Sequence, residues 1–300
     1  MKSILKYIIV FVILIIVFLV ALVVSALFPR DWIENKTLES AKTLNNEGSP
    51  KNIVIGMNLD NYTDTIMINT AYSINPEKPF ESILLDRKNN LPEIEQTYYT
   101  DVNGELKTSK NTFNNVAVEL FETVANKDTL ETFEYARYWH GYLIWLRPML
   151  IFFNINDIKL IIETILVFLG IYFIVILSKK ISSKILFIVL IGMICADFFL
   201  MGLTFQGVTV YIISIVASIL ICKRCEKIKD IGLYFFIIGI FTSFFDLLST
   251  PIITLGLPII TYLLLRPKQG LKDNIKIIIK SVILLGIGYI LTYFSHLFHN

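Results

Sequence analysis

The stretch RYWHGYLIWLRP, residues 137 to 148, gathers the side chains in this chain best suited to holding an anion. As a helix it sets Arg137, His140, Ile144 and Arg147 at i, i+3, i+7 and i+10, so two guanidiniums and an imidazole share one face. The other arc carries Tyr138, Trp139, Tyr142 and Trp145, amphipathic rings of the kind that settle at a lipid headgroup boundary. A cationic stripe backed by aromatic residues suits a phosphate-bearing group, which arginine grips with a planar pair of donors. The plainer reading is that arginines and aromatic residues here anchor a helix at the membrane edge, and Gly141 weakens the helix that would align the cations.

Carboxylates are the other candidates. Asp60 and Asp64 lie in LDNYTDTIMIN, four residues apart and so on one face of a helix. Either is a candidate general base, because a carboxylate beside a low-dielectric surface has its pKa raised. Asp60 is equally a helix N-cap, since Asp-Asn-Tyr-Thr is a good helix start. Asp157, Glu163, Asp197 and Asp246 fall in or beside apolar runs. Asp197 is the deepest, nine residues before Gln206, or about 13 Å along a helix. A carboxylate in such a place persists when paired or facing a polar cavity, so Asp197 and Asp246 are candidate substrate contacts or packing ion pairs.

What must position these residues is a membrane. Hydrophobic residues make up 55% of the chain and charged residues 17%, with a mean hydropathy of +0.65, which excludes an ordinary soluble domain. Apolar runs near the roughly 20 residues needed to cross hydrocarbon occur at 4–28, 158–178, 185–205, 207–222, 231–250, 252–265 and 277–295. The expected fold is therefore an all-α polytopic membrane protein of about seven transmembrane helices, with a large, mostly helical external domain between the first and second spans. Its parts are an N-terminal anchor (1–28), the external domain (29–141), an interfacial segment (142–157) and a six-helix membrane domain (158–300).

Basic residues give the orientation. Lys2 and Lys6, Lys179 to Lys184, Lys223 to Lys229, and Arg266 to Lys276 cluster at alternate ends of the runs. By the positive-inside rule these ends are cytoplasmic, which places 29–141 and the C-terminus outside the cell membrane. The segment 29–141 holds 11 Lys/Arg against 18 Asp/Glu, a net charge of −7. The first run is too long for the core of a cleaved signal, so it reads as a retained anchor. Cys195, Cys222 and Cys225 all fall in or at the ends of runs, so 29–141 has no disulfide, and Cys222-x-x-Cys225 lacks the second pair that a zinc site needs. No metal or other cofactor is called for, a divalent cation being compatible but not indicated, and nothing points to nucleic acid. Richness in Ile, Lys and Asn with no external cysteine suggests a bacterial cell-envelope protein from an A+T-rich source.

Within 29–141, residues 31–47 read as a helix, 52–57 (NIVIGM) as an extended run, and Ile66 to Tyr72 as a helix. Residues 76–110 read as loop and turn. Phe113, Val116, Leu120, Phe121 and Val124 have helical spacing, and Asp128-Thr129-Leu130-Glu131 is a second start signal for a helix running through Phe133, Arg137, His140 and Arg147.

Seven runs, a large first external loop and a basic stripe at the return to the membrane resemble the GT-C glycosyltransferase superfamily, which uses polyprenyl-phosphate-linked sugars at the outer face. YARYWHGYLIWLRPML and FFDLLSTPIITLGLP also resemble a group of polytopic membrane proteins of Firmicutes whose function is not known. In GT-C enzymes the catalytic aspartate follows closely on the first span, whereas Asp60 stands about 30 residues beyond Asp31. The resemblance implies a glycosyltransferase in which Asp60 or Asp64 deprotonates an acceptor, Arg137, His140 and Arg147 hold the leaving phosphate, and membrane lipid or a polyprenyl-phosphate-linked sugar is the partner. Two other classes stay open. A lipid or small-molecule transporter accounts for Asp197 and for the breaks at Gly202, Gly207, Pro251, Gly256 and Pro258, and a non-enzymatic partner in an envelope complex accounts for the large external segment.

Overall fold

A computed structural model describes residues 2–47, 51–54, 57–85, 87–89, 97–100, 106–109, 115–126, 132–134, 138–247, 249–267 and 269–297. The chain opens with α1 (Lys2–Ala26), an apolar helix charged only at Lys2 and Lys6. Two compact units follow from the contacts: an apolar one of Met1–Leu22, Arg137–Tyr142 and Lys159–Asn300, and a polar one of Val23–Ala136 and Leu143–Ile158.

The polar unit holds α2 (Arg30–Glu47), β1 (Lys51–Val54), β2 (Met57–Leu59), α3 (Asn61–Ser73), α4 (Pro79–Leu85), β3 (Arg87–Asn89), β4 (Thr97–Thr100), β5 (Leu106–Ser109), α5 (Asn115–Asn126), β6 (Thr132–Glu134) and α6 (Leu143–Leu150). Its core explains why α2, α3 and α5 are helices. Ile33, Thr37, Ala41 and Leu44 recur on one face of α2, and they are buried together with Met67, Ile68, Ala71 and Tyr72 of α3 and Val116, Leu120 and Val124 of α5. Threonine and serine enter this interior because each can return its hydroxyl to the preceding turn, as Thr37 does to the Ile33 carbonyl.

Three short antiparallel ribbons, β1 with β2, β3 with β6 and β4 with β5, complete the unit. They correct the expectation of loop over 76–110, where α4 and β3 to β5 form. They also correct the long helix expected from Asp128 onward: Asp128 to Glu131 lie outside the described residues, and Thr132 to Glu134 instead pair with Arg87 to Asn89. Backbone partners on a neighbouring strand overrode a purely local start signal.

The apolar unit continues with α7 (Ile155–Ser178) from Lys159 onward, α8 (Ser183–Cys195), α9 (Phe205–Arg224), α10 (Ile231–Phe245), α11 (Ile253–Leu265) and α12 (Leu271–Leu297). Among the described residues, four helices are long and apolar enough to cross a membrane: Ile4–Ala26, Ile155–Ser178, Phe205–Lys227 and Leu271–His296. By contrast α8, α10 and α11 have 13, 15 and 13 residues, about 20 to 22 Å of helix against roughly 30 Å of hydrocarbon. Continuous apolar sequence across their ends hid where they stop. α8 ends at Cys195, and Asp197, expected deep inside a span, stands exposed in the following turn with φ 52°. Helices α10 and α12 approach so closely that a Cβ on Gly239 would meet the Leu285 carbonyl and one on Gly288 the Phe236 carbonyl.

Candidate functional site

Arg147 sits in α6, completely buried, and its guanidinium is spent on main chain. Nε donates to the Ser25 carbonyl at 2.9 Å, Nη2 to Phe28 at 2.7 Å, and Nη1 to Ala71. Ser25 lies in the last turn of α1 and Ala71 in the last turn of α3, where helix carbonyls have no intrahelical partner. A cation at two helix C-termini also meets the negative end of each dipole. Arg30 assists at α3, donating to the Ser73 carbonyl at 3.4 Å while lying 5.5 Å from the centre of the Tyr72 ring. Burial, and then the charge of Arg30, pull the Arg147 pKa down to about 10, so it stays protonated at neutral pH. The arrangement is a staple between helix ends, with donors of all three guanidinium nitrogens engaged by main-chain carbonyls.

The helix expected to align Arg137, His140 and Arg147 is not continuous over the described residues. Residues 138–142 form a bend and turn rather than a helix, and Arg137 lies outside the described residues. His140 takes φ 50°, a left-handed conformation uncommon outside glycine that persists only where surroundings enforce it. Those surroundings are in the apolar unit. The Gly141 N–H donates at 3.2 Å to the carbonyl of Phe244 in the last turn of α10, and a Cβ on Gly141 would overlap that same carbonyl. Trp139 donates its indole N–H to the Thr292 carbonyl of α12 at 2.7 Å and lies 5.2 Å from the His296 ring. His140 Nδ1 is 2.7 Å from the Tyr142 hydroxyl, and its ring packs edge-on to Tyr138 and Tyr142.

Asp246 joins this end of the helices. It is the C-cap of α10, 2% exposed, with Oδ1 accepting from the Ser249 N–H at 3.0 Å and its hydroxyl at 2.8 Å, and Oδ2 accepting from the Tyr289 hydroxyl at 3.3 Å. Tyr289 in turn interacts electrostatically with Tyr138 and Tyr293. One constellation therefore contains the buried Asp246, Trp139, His140 and Tyr142 with the half-buried Tyr138 and Tyr289. It is rich in hydroxyls, and hydroxyls can exchange one acceptor for another as a polar ligand enters.

The remaining candidates are dispersed. Asp60 is the N-cap of α3: Oδ1 accepts from the Thr63 N–H at 3.2 Å and Oδ2 from its hydroxyl at 2.6 Å. Asp64, one turn on, is fully buried in α3. Asp197 joins none of them. Sequence reading missed Tyr289 and His296, although 289, 292 and 296 share a helical face and so signalled a polar stripe in the last span. It also missed why Glu163 is tolerated, for Glu163 accepts the Gly202 N–H at 2.8 Å where the chain breaks between α8 and α9. Among the described residues no group of three or more His, Cys, Asp or Glu is placed to hold a metal.

Comparison with protein-family models, curated proteins and solved structures finds no match to this chain.

Proposed function

We propose that this is a seven-span membrane protein whose apolar unit binds and moves a lipid, with residues 29–141 and the C-terminus outside the cell and the N-terminus in the cytoplasm. The carrying observation is Asp246, a carboxylate buried in the gap between α10 and α11, two apolar helices that each stop short of a full crossing. Helices this short leave the carboxylate within the depth of the bilayer, and ionisable residues there mark substrate pathways. An open apolar groove of about 520 Å³ along α1, α10 and α12, lined by Tyr7, Phe11, Phe236 and Leu284, has room for an acyl chain. Support for the topology comes from which ends meet: Tyr7, Asp230 and Lys280 are joined by hydrogen bonds at ends assigned to the cytoplasm. Glu163 and Gly202 meet at ends assigned to the outside.

This reading displaces glycosyl transfer because the two aspartates proposed as base are a helix cap and a sealed core residue. Proteoliposomes carrying a fluorescent phosphatidylglycerol test it. The parent should expose inner-leaflet probe to dithionite faster than empty liposomes do, and Asp246→Ala should slow this at least tenfold. No exposure above empty liposomes, with sugar transferred from a polyprenyl-phosphate-linked donor in the same vesicles, would reinstate the transferase. Orientation has its own check: in sealed cells, a cysteine placed at Gly104 should label from outside and one at Gln269 should not.

A further inference from the structure

At the opposite end of the apolar unit from Asp246 in the sequence order of each helix, the chain ends of α7, α9 and α11 surround a second hollow of about 360 Å³. Its lining includes Lys180, Lys223, Arg224 and Lys227, with Glu226 as its one carboxylate, a balance of three positive charges. The Lys223 ammonium also lies 4.9 Å from the Tyr172 ring centre, a cation–π contact. Among the described residues, none of these four cations is joined to a carboxylate by an ion pair.

Arg266 adds a fifth positive charge. It follows Leu265, which lines the hollow, and interacts electrostatically with Cys225 in the lining. Its Nη1 is shielded from solvent and makes no hydrogen bond among the described residues.

Positive charge at these helix ends has an ordinary cause, since the positive-inside rule asks for it and helix C-termini attract cations. Neither effect asks for the charges to ring a cavity, and the volume lies at the lower end of the range for small-ligand sites. Basic pockets between helix ends at a membrane surface are suited to phosphate-bearing headgroups. We infer that this hollow is a binding site for a phosphate-bearing anion, held by Lys180, Lys223, Arg224 and Lys227. Two sources share that chemistry, the headgroup of an anionic lipid and a soluble phosphate. The inference stands apart from transport and from the Asp246 end, and needs only this set of helix ends.

The full-length protein in nanodiscs separates the sources. Native mass spectrometry of protein from phosphatidylcholine discs containing phosphatidylglycerol reads retained anionic lipid, and radiolabelled inorganic phosphate added to pure phosphatidylcholine discs reads soluble anion. Each cation near an anionic group contributes about fivefold to retention, so the triple variant Lys180→Ala, Lys223→Ala, Arg224→Ala should retain at least tenfold less of whichever probe the parent holds. Glu226→Gln removes the opposing carboxylate and should raise retention about threefold, a gain that a misfolded protein cannot imitate. Lys272→Ala with Lys276→Ala, on α12 and outside the lining, should change nothing. Retention of phosphatidylglycerol identifies the headgroup, and retention of phosphate in neutral discs identifies the soluble ion. Retention of neither by the parent, no gain in Glu226→Gln, or an equal loss in the α12 control would overturn the site.

Discussion

Arg147 in the polar unit and Asp246 in the apolar unit are both buried charges, 0% and 2% exposed, yet they are satisfied in opposite ways. Arg147 gives its donors to three main-chain carbonyls, and those of Ser25 and Ala71 cannot turn away without unravelling α1 or α3. Asp246 takes two of its three bonds from the hydroxyls of Ser249 and Tyr289, which can rotate to another partner at little cost. A charge locked by backbone is part of the framework, whereas a charge held by rotors can exchange its partners for those of a ligand. That contrast, more than charge or burial, separates the two residues that the sequence placed together as substrate contacts.

Substitutions test the contrast from both sides. The largest effect should come from Arg147→Ala, which strands three carbonyls in a sealed site and should cost about 3 to 5 kcal/mol, read as loss of cooperative thermal unfolding followed by tryptophan fluorescence. Arg147→Lys keeps the charge but not the planar fork, and should still cost about 2 kcal/mol. Parent-like melting of the lysine variant would remove the staple. In the apolar unit, Gly141→Val drives a side chain into the Phe244 carbonyl and should cost about 1 to 3 kcal/mol, together with faster proteolysis after Tyr138.

Asp246→Asn should sharpen the difference, because it keeps an acceptor for Tyr289 while removing the charge. Melting should fall by less than about 1 kcal/mol while lipid movement in proteoliposomes falls by tenfold or more. An Asp246→Asn protein that melts early and still moves lipid would make Asp246 another staple. The smallest effect belongs to Asp60→Asn, since Asn caps a helix about as well as Asp: a change of a few tenths of a kcal/mol is expected, with sugar transfer and lipid movement both as in the parent.

Much of the framework could be read in advance because it depends on local pattern. The helices at 31–47 and 113–124, the extended run at 52–57 and the Asp60 cap all follow from residue spacing, and each has its counterpart in α2, α5, β1 and the start of α3. Residues 138–142 could not be read this way. Their helix fails because the Gly141 N–H finds the Phe244 carbonyl, a hundred residues away, and because Trp139 finds Thr292.

The sequence by itself determined that this chain belongs in a membrane, since apolar runs of such length have no other home and the hydrophobic term is additive along the chain. It also determined where its basic ends lie. Tertiary structure alone decided which polar residues meet. A buried polar group must find its partners wherever the fold supplies them, so Arg147 went to helix ends near Ser25 and Ala71, and Asp246 met Tyr289, 43 residues along the chain.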